Sequence, residues 1–344
     1  MKKIFLLLFI GISFTSFSQI NSEALQTSYN FSAKDTNKLI LAFNDFNFLQ
    51  NTEYFGPIVS GETLFGTELN SRLAYVVNPY LRIDLGMFAR KDFGNPNFTT
   101  IAPVFNLKLQ KNGYSLQYGN YEGCMDHQYI EPLFSYENRI TNPLENGIQA
   151  KINKKRVWVD LWINWASQEY PGSTYQEHII SGLSSKFTIF EPSDVFKIQI
   201  PVQYLINHHG GQIDSDPVRK YETLLNGAVG MNFVLDLSKY HGFITKIESD
   251  NYSVGYRNGS RYMYLYLEDF IEGNGAYYNV QIESKYHISL WASYWHGHTF
   301  ICPTGAPLFE SISQVYGSYQ ETNRRLVFLN LNYMYQILPD LYAD

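Results

Sequence analysis

The chain has 344 residues and a formal net charge of −6, from 26 basic and 32 acidic side chains. It carries no basic run of the kind that binds nucleic acid, and no stretch of roughly 18 or more apolar residues, so a helical membrane protein is excluded. Its 28 Tyr, 24 Phe and 5 Trp suit strands and membrane-interface girdles, and equally the carbohydrate-binding sandwiches of secreted proteins.

Residues 1–18 read as a secretory signal: Lys2 and Lys3, an apolar run over 4–12, and the small-residue pattern Ser16-Phe17-Ser18 before Gln19. Export and cleavage are expected, with 19–344 as a single domain. From 38 onward the dominant period is two. Strands are expected at 38–48, 62–77, 81–90, 100–110, 113–121, 147–153, 156–165, 179–190, 196–207, 228–237, 243–252, 262–267, 276–283, 286–296, 313–320 and 327–337.

The clearest of these alternate along their whole length. Leu81, Ile83, Leu85 and Met87 oppose Arg82, Asp84, Gly86 and Phe88; Val157, Val159, Leu161 and Ile163 oppose Trp158, Asp160, Trp162 and Asn164. Turn signals such as Asn78-Pro79, Lys111-Asn112-Gly113 and Gly273-Asn274-Gly275 separate them. Longer polar links fall at 123–146, 166–176, 210–223 and 299–311. Strands of about 9 to 11 residues have the length of tilted membrane strands, whereas sandwich strands are shorter and fewer. The fold class expected is an all-β, antiparallel transmembrane β-barrel of about 14 strands, within a range of 12 to 16. Closure removes the sheet edges that hydrocarbon cannot satisfy.

The signal sequence, repeated amphipathic strands, abundant Tyr and Phe and acidic balance together resemble the porin-like outer-membrane β-barrels of Gram-negative bacteria. The resemblance covers the mature chain and is one of class, without a family motif. It implies residence among outer-membrane lipids and a channel passing hydrophilic solutes or a polymer such as polysaccharide. One departure is the end: such barrels commonly finish on an aromatic residue, while this chain ends Leu341-Tyr342-Ala343-Asp344, so Tyr342 serves near the end or the closing strand is incomplete. The alternative function is an outer-membrane or secreted all-β hydrolase or carbohydrate-binding protein.

The densest polar cluster lies in 122–139. If that loop folds inward, Asp126, His127, Glu131, Glu137 and Arg139 are the candidates for a pore constriction, where opposed charges select solutes; otherwise it is a charged surface loop. Arg82, Asp84, Arg90, Arg156, Asp160, Lys197, Asp236 and Glu283 fall on the polar faces and are candidates to face the lumen. Trp158 and Trp162, or Trp291 and Trp295, stack a sugar or anchor the lipid interface, depending on which face is inside. His296 and His298 share a strand face and His208 and His209 point apart; neither pair brings a third ligand, so no metal and no cofactor is expected. Catalytic candidates are weak: Ser289 and Ser293 share a face with His287, Ser260 is a loop serine, no GxSxG elbow occurs, and Glu268 and Asp269 are adjacent and point apart. Cys124 and Cys302 sit in different loops, and they bridge only if those loops meet. The sequence sets no oligomeric state and suggests no nucleic-acid partner.

Overall fold

The computed structural model describes residues 31–211, 213, 221–260, 270–333, 335–338 and 341–343. The signal stretch 1–18, the expected strand at 262–267, and Glu268 and Asp269 lie outside the described residues. Fourteen antiparallel strands form one sheet in which each is bonded to the next. They are β1 (Leu39–Thr52), β2 (Glu62–Asn78), β3 (Leu81–Asp92), β4 (Thr100–Lys111), β5 (Tyr114–Glu122), β6 (Leu144–Lys154) and β7 (Val157–Ser167), then β8 (His178–Ser193), β9 (Phe196–His209), β10 (Glu222–Asp236), β11 (Ile244–Asn258), β12 (Glu272–Ser284), β13 (Ile288–His298) and β14 (Asn323–Tyr333). The fold is a 14-stranded outer-membrane β-barrel of meander order. No helix among the described residues is long and apolar enough to cross a membrane.

The links at the two ends differ in kind. At one end the strands turn within a few residues, as at Asn112-Gly113, where both φ angles are positive, at 51° and 76°, the hairpin geometry that Asn-Gly adopts without Cβ strain. At the other end run the long loops, among them 53–61, 123–143 and 299–322. Short periplasmic turns and long extracellular loops are the polarity of an outer-membrane barrel.

The side-chain distribution is inverted relative to a soluble protein. Outward rows are large and apolar: Leu39, Leu41 and Phe43 on β1, Leu85 and Met87 on β3, and Val327, Leu329 and Leu331 on β14, the last three 69–73 % exposed. Inward rows are polar and buried: Glu68 and Asn70, Arg82 and Asp84, Gln149, Asp160 and Asn164, Gln203 and Asn207. An apolar surface running around so many strands far exceeds the few hundred Å² a soluble monomer exposes, and has lipid as its natural solvent.

The apolar core lies inside the barrel, toward the long-loop end. Tyr129, Leu133 and Phe134 from loop 123–143 and Phe300, Cys302 and Phe309 from loop 299–322 cluster with inward Trp162, Leu205, Tyr277 and Trp295. A barrel this wide is not filled by its own wall side chains; these two loops fill it. They reach the inner wall widely separated along the sheet: Gln50 on β1 bonds Glu137, Gln203 on β9 bonds the backbone of Gln128 and Ile130, Asn226 on β10 bonds Ile301 O, and Arg324 on β14 bonds Leu308 O. The first and last loops also meet, through Gln314 N–H to Ile58 O. At the short-turn end Phe31 is buried with its ring 5.5 Å from the Arg82 guanidinium, and its carbonyl accepts from Gln110 Nε2.

Two expected strands come out differently. Residues 313–320 form no strand: the stretch lies in the last loop, with an isolated bridge between Ile312 and Gln320. The Ser313 hydroxyl accepts from the N–H groups of Val315 and Tyr316, closing a turn where alternation alone suggests extension. The expected strand 327–337 ends at Tyr333, and Tyr335–Leu338 pairs instead with Leu341–Ala343 in a separate hairpin.

Candidate functional site

Loop 123–143 leaves β5 at Gly123, where a Cβ would press on both the Glu145 carboxylate and the His127 ring, so a side chain there would displace the pair. The chain then places His127 against the inner wall with no exposed surface. Its Nδ1 lies 2.7 Å from Asp160 Oδ2 on β7 and its Nε2 lies 2.9 Å from Glu145 Oε2 on β6. Ionised carboxylates only accept hydrogen bonds, so both ring nitrogens must carry hydrogen and the imidazole is held as a cation. Burial pulls the other way, but the Glu145 and Asp160 charges outweigh it and hold the His127 pKa up at about 9. The ring stacks on Trp162 at 4.2 Å, Gln149 Nε2 donates to Asp160 at 3.0 Å, and Lys151 Nζ stands 3.7 Å from Asp160 and pairs with Asp126.

Further along the loop, the helical turn α1 (Asn138–Thr141) carries Arg139 to β2, where Nη1 donates to Glu68 Oε2 at 2.9 Å and the guanidinium lies 4.2 Å over Phe46. Arg90 on β3 donates to Ile140 O. These bonds fasten the loop to the wall on several sides. Replacing Arg139 with Gln is expected to loosen α1 and speed amide exchange over residues 138–141; exchange as slow as in the unaltered protein would mean that the Arg139–Glu68 pair does not fasten the turn.

A second polar group lies on the outside. Asp45 in the middle of β1 shares the outward row with Leu41 and Phe43 and is exposed. Its Oδ1 accepts from Thr67 Oγ1 on β2 at 3.0 Å and its Oδ2 accepts from Asn47 Nδ2 at 3.1 Å. Four residues beyond Asn47, toward the long loops, Asn51 Oδ1 accepts from Thr63 Oγ1 at 2.6 Å. Among the described residues no cation pairs with Asp45. A carboxylate on a lipid-facing row is costly, and where it occurs it marks chemistry more often than packing.

A family model described as lipid A 3'-O-deacylase-type matches residues 31–344. The chain belongs to that family. No curated protein matches it. Similar solved structures are outer-membrane proteins. OmpT of Vibrio cholerae in its trimer form has a TM-score of 0.39 and 10 % identity over 86 % of this chain and 97 % of that one. The DcaP channel of Acinetobacter baumannii has a TM-score of 0.34 and 12 % identity over 89 % and 100 %. OprD of Pseudomonas aeruginosa has a TM-score of 0.34 and 8 % identity over 87 % and 94 %.

In this member of the lipid A 3'-O-deacylase-type family, the five residues singled out for a constriction all lie on the inserted loop. Each meets a wall or loop partner: Asp126 meets Lys151, His127 meets its two carboxylates, Glu137 accepts from Gln50 Nε2 at 3.0 Å, Arg139 meets Glu68, and the Glu131 carbonyl accepts from Ala306 N–H. Of the lumen candidates, Arg82 and Asp84 form a buried pair at 2.7 Å, Arg90 and Asp160 are engaged as described, and Glu283 lies 3.4 Å from Lys246. Lys197 is half-buried on β9. Arg156 lies in the exposed β6–β7 turn, and Asp236 ends β10 exposed, bonded to Ser238.

The tryptophans Trp162 and Trp295 are buried in the internal core. Ser293 points inward and donates to Asn279 Oδ1 at 2.6 Å, while His287 sits in a short turn with φ 60°, so they form no dyad. His298 bonds Asn323 at 2.9 Å, His209 stacks on His178, and His208 bonds Thr223 Oγ1 at 2.8 Å. Among the described residues no three metal-ligating side chains converge. Cys124 and Cys302 are free; their loops do meet, but each thiol is directed at a carbonyl, of Ser135 and Leu133 respectively. The residues missed by sequence reasoning are Glu145 and Glu68, which hold the loop, and the outward Asp45, Asn47 and Thr67. The signal for the last group is present: in the row Leu39, Leu41, Phe43, Asp45, Asn47, a carboxylate interrupts an apolar parity.

Proposed function

We propose that this barrel hydrolyses an acyl ester of lipid A at its outer wall, with Asp45 as general base. The carrying observation is the lipid-facing carboxylate bonded to Thr67 and Asn47, in a chain whose family description names this chemistry. Asp45 takes a proton from a water molecule, the water oxygen attacks the ester carbonyl, the bond between the carbonyl carbon and the sugar oxygen breaks, and the proton held by Asp45 passes to that oxygen, releasing a fatty acid and a free sugar hydroxyl. The Thr67 hydroxyl fixes the carboxylate's orientation, and the Asn47 amide offers N–H donors beside the developing charge. The packed interior supports this reading, since loops fill the bore at the long-loop end while the lipid face stays accessible.

Full-length protein in detergent, incubated with purified lipid A and followed by mass spectrometry, is expected to yield lipid A lacking one ester-linked acyl group, with the matching free acid. Intact lipid A at every enzyme concentration would overturn the proposal. Passage of a hydrophilic solute is the second reading. The polar inner rows on the short-turn side of the inserted loops favour it, and it requires those loops to yield; steady conductance in planar bilayers from the unaltered protein is the result that would support it.

A further inference from the structure

On the outer wall of β9–β11, away from Asp45, lies an open groove of about 480 Å³. Its floor exists because two glycines stand opposite one another in the ladder, Gly227 on β10 and Gly255 on β11, both in the outward rows. Tyr204, Leu225 and Val229 form its walls. A Cβ on Gly255 would meet nothing within 4 Å, and one on Gly227 would make only ordinary contacts at 3.4 Å, so neither glycine is demanded by backbone packing or by φ. The strands run from the short-turn end to the long-loop end, so Arg257, registered against Leu225 and exposed, stands at the groove's extracellular mouth. Glu272 on β12 stands opposite it in the register and is also exposed, and among the described residues no carboxylate forms an ion pair with the guanidinium. Just beyond, Thr223 and His208 add a hydroxyl and an imidazole in the outward row.

An apolar trough on a lipid-facing wall, ending in a guanidinium at headgroup height, is complementary to one kind of partner. We propose that this groove binds a membrane lipid of the outer leaflet, seating one acyl chain over Gly227 and Gly255 with the lipid phosphate on Arg257. The volume lies within the roughly 300–1,000 Å³ of small-ligand sites. A phosphate offers oxygens for bidentate pairing with the arginine fork, which an uncharged headgroup does not. The site is independent of the Asp45 reading and stands whether or not the chain cleaves an ester.

The test is native mass spectrometry of delipidated full-length protein in an uncharged detergent, titrated with lipid A, with phosphatidylglycerol and with phosphate-free diacylglycerol. Retention of a phosphate-bearing lipid at least tenfold tighter than of diacylglycerol is expected. Preference for lipid A over phosphatidylglycerol, or the reverse, identifies the source. Gly255→Phe fills the groove and is expected to abolish the adducts while heat-modifiable migration on gels is unchanged; Gly255→Val is the milder filling variant should the larger ring impair folding. Arg257→Gln is expected to weaken phosphate-bearing lipids about tenfold and leave diacylglycerol unchanged. Adducts that survive both glycine variants in folded protein, or that ignore Arg257→Gln, would overturn the site.

Discussion

Replacing His127 with Phe is expected to release the inserted loop from the barrel wall at a cost of about 3–5 kcal/mol, the range for removing one partner of a buried ion pair. A phenyl ring is no smaller than the imidazole and can still stack on Trp162, so cavity formation does not account for the loss. What remains is Asp160 and Glu145, buried and facing a ring with nothing to donate. Limited proteolysis within 123–143, or amide exchange over the same residues, reads the effect directly, while heat-modifiable migration reports on the barrel itself.

The same cluster gives a pH dependence whose sign follows from the raised pKa. His127 binds its proton more tightly with the loop seated than with it released, where the value is the ordinary 6.5. The resulting stabilisation is complete below about pH 6.5, declines between there and about 9, and is gone above. The difference corresponds to about 3 kcal/mol. Lys151, Asp126 and Gln149 face the same site, and none of them removes the need for a charged imidazole between two carboxylates. Loop protection that is flat from pH 6 to pH 10 would mean that the imidazole is not the group that matters.

The barrel was legible because period-two alternation is written locally: each of β3, β7 and β9 declares two faces within ten residues, and the turns between them carry Asn, Gly or Lys. The strand count followed from repetition. The interior was less legible for a physical reason. The carboxylates that hold His127 lie on two different strands, 18 and 33 residues further along the chain, and no pattern within 122–139 announces them. The stretch 313–320 failed because alternation of Ser, Val and Tyr with polar residues is shared by strands and by loops that pack against an aromatic core. Asp45 is an intermediate case. Parity alone puts it in the row of Leu41 and Phe43, but that the row faces lipid follows only once the other face is seen to be closed over by Glu137, Arg139 and their partners on β1 and β2.

That placement makes Asp45→Asn the sharpest probe of the proposed chemistry. The side chain is exposed and outside the internal core, so the substitution leaves packing intact, and asparagine still accepts from Thr67 through its amide oxygen. What it loses is basicity. Deacylation is therefore expected to fall by about 10²–10⁴-fold, the range for removal of a general base, with the heat-modifiable band and lipid A binding unchanged. Thr67→Val removes the hydroxyl that orients the carboxylate and should cost less, about tenfold, with activity recovered in Thr67→Ser. A structural role predicts the opposite ordering, because an asparagine at 45 would be silent while a valine facing an unbonded carboxylate would disturb the wall. If Asp45→Asn hydrolyses lipid A as fast as the unaltered protein, the base lies elsewhere and the lipid-facing carboxylate has no part in bond cleavage.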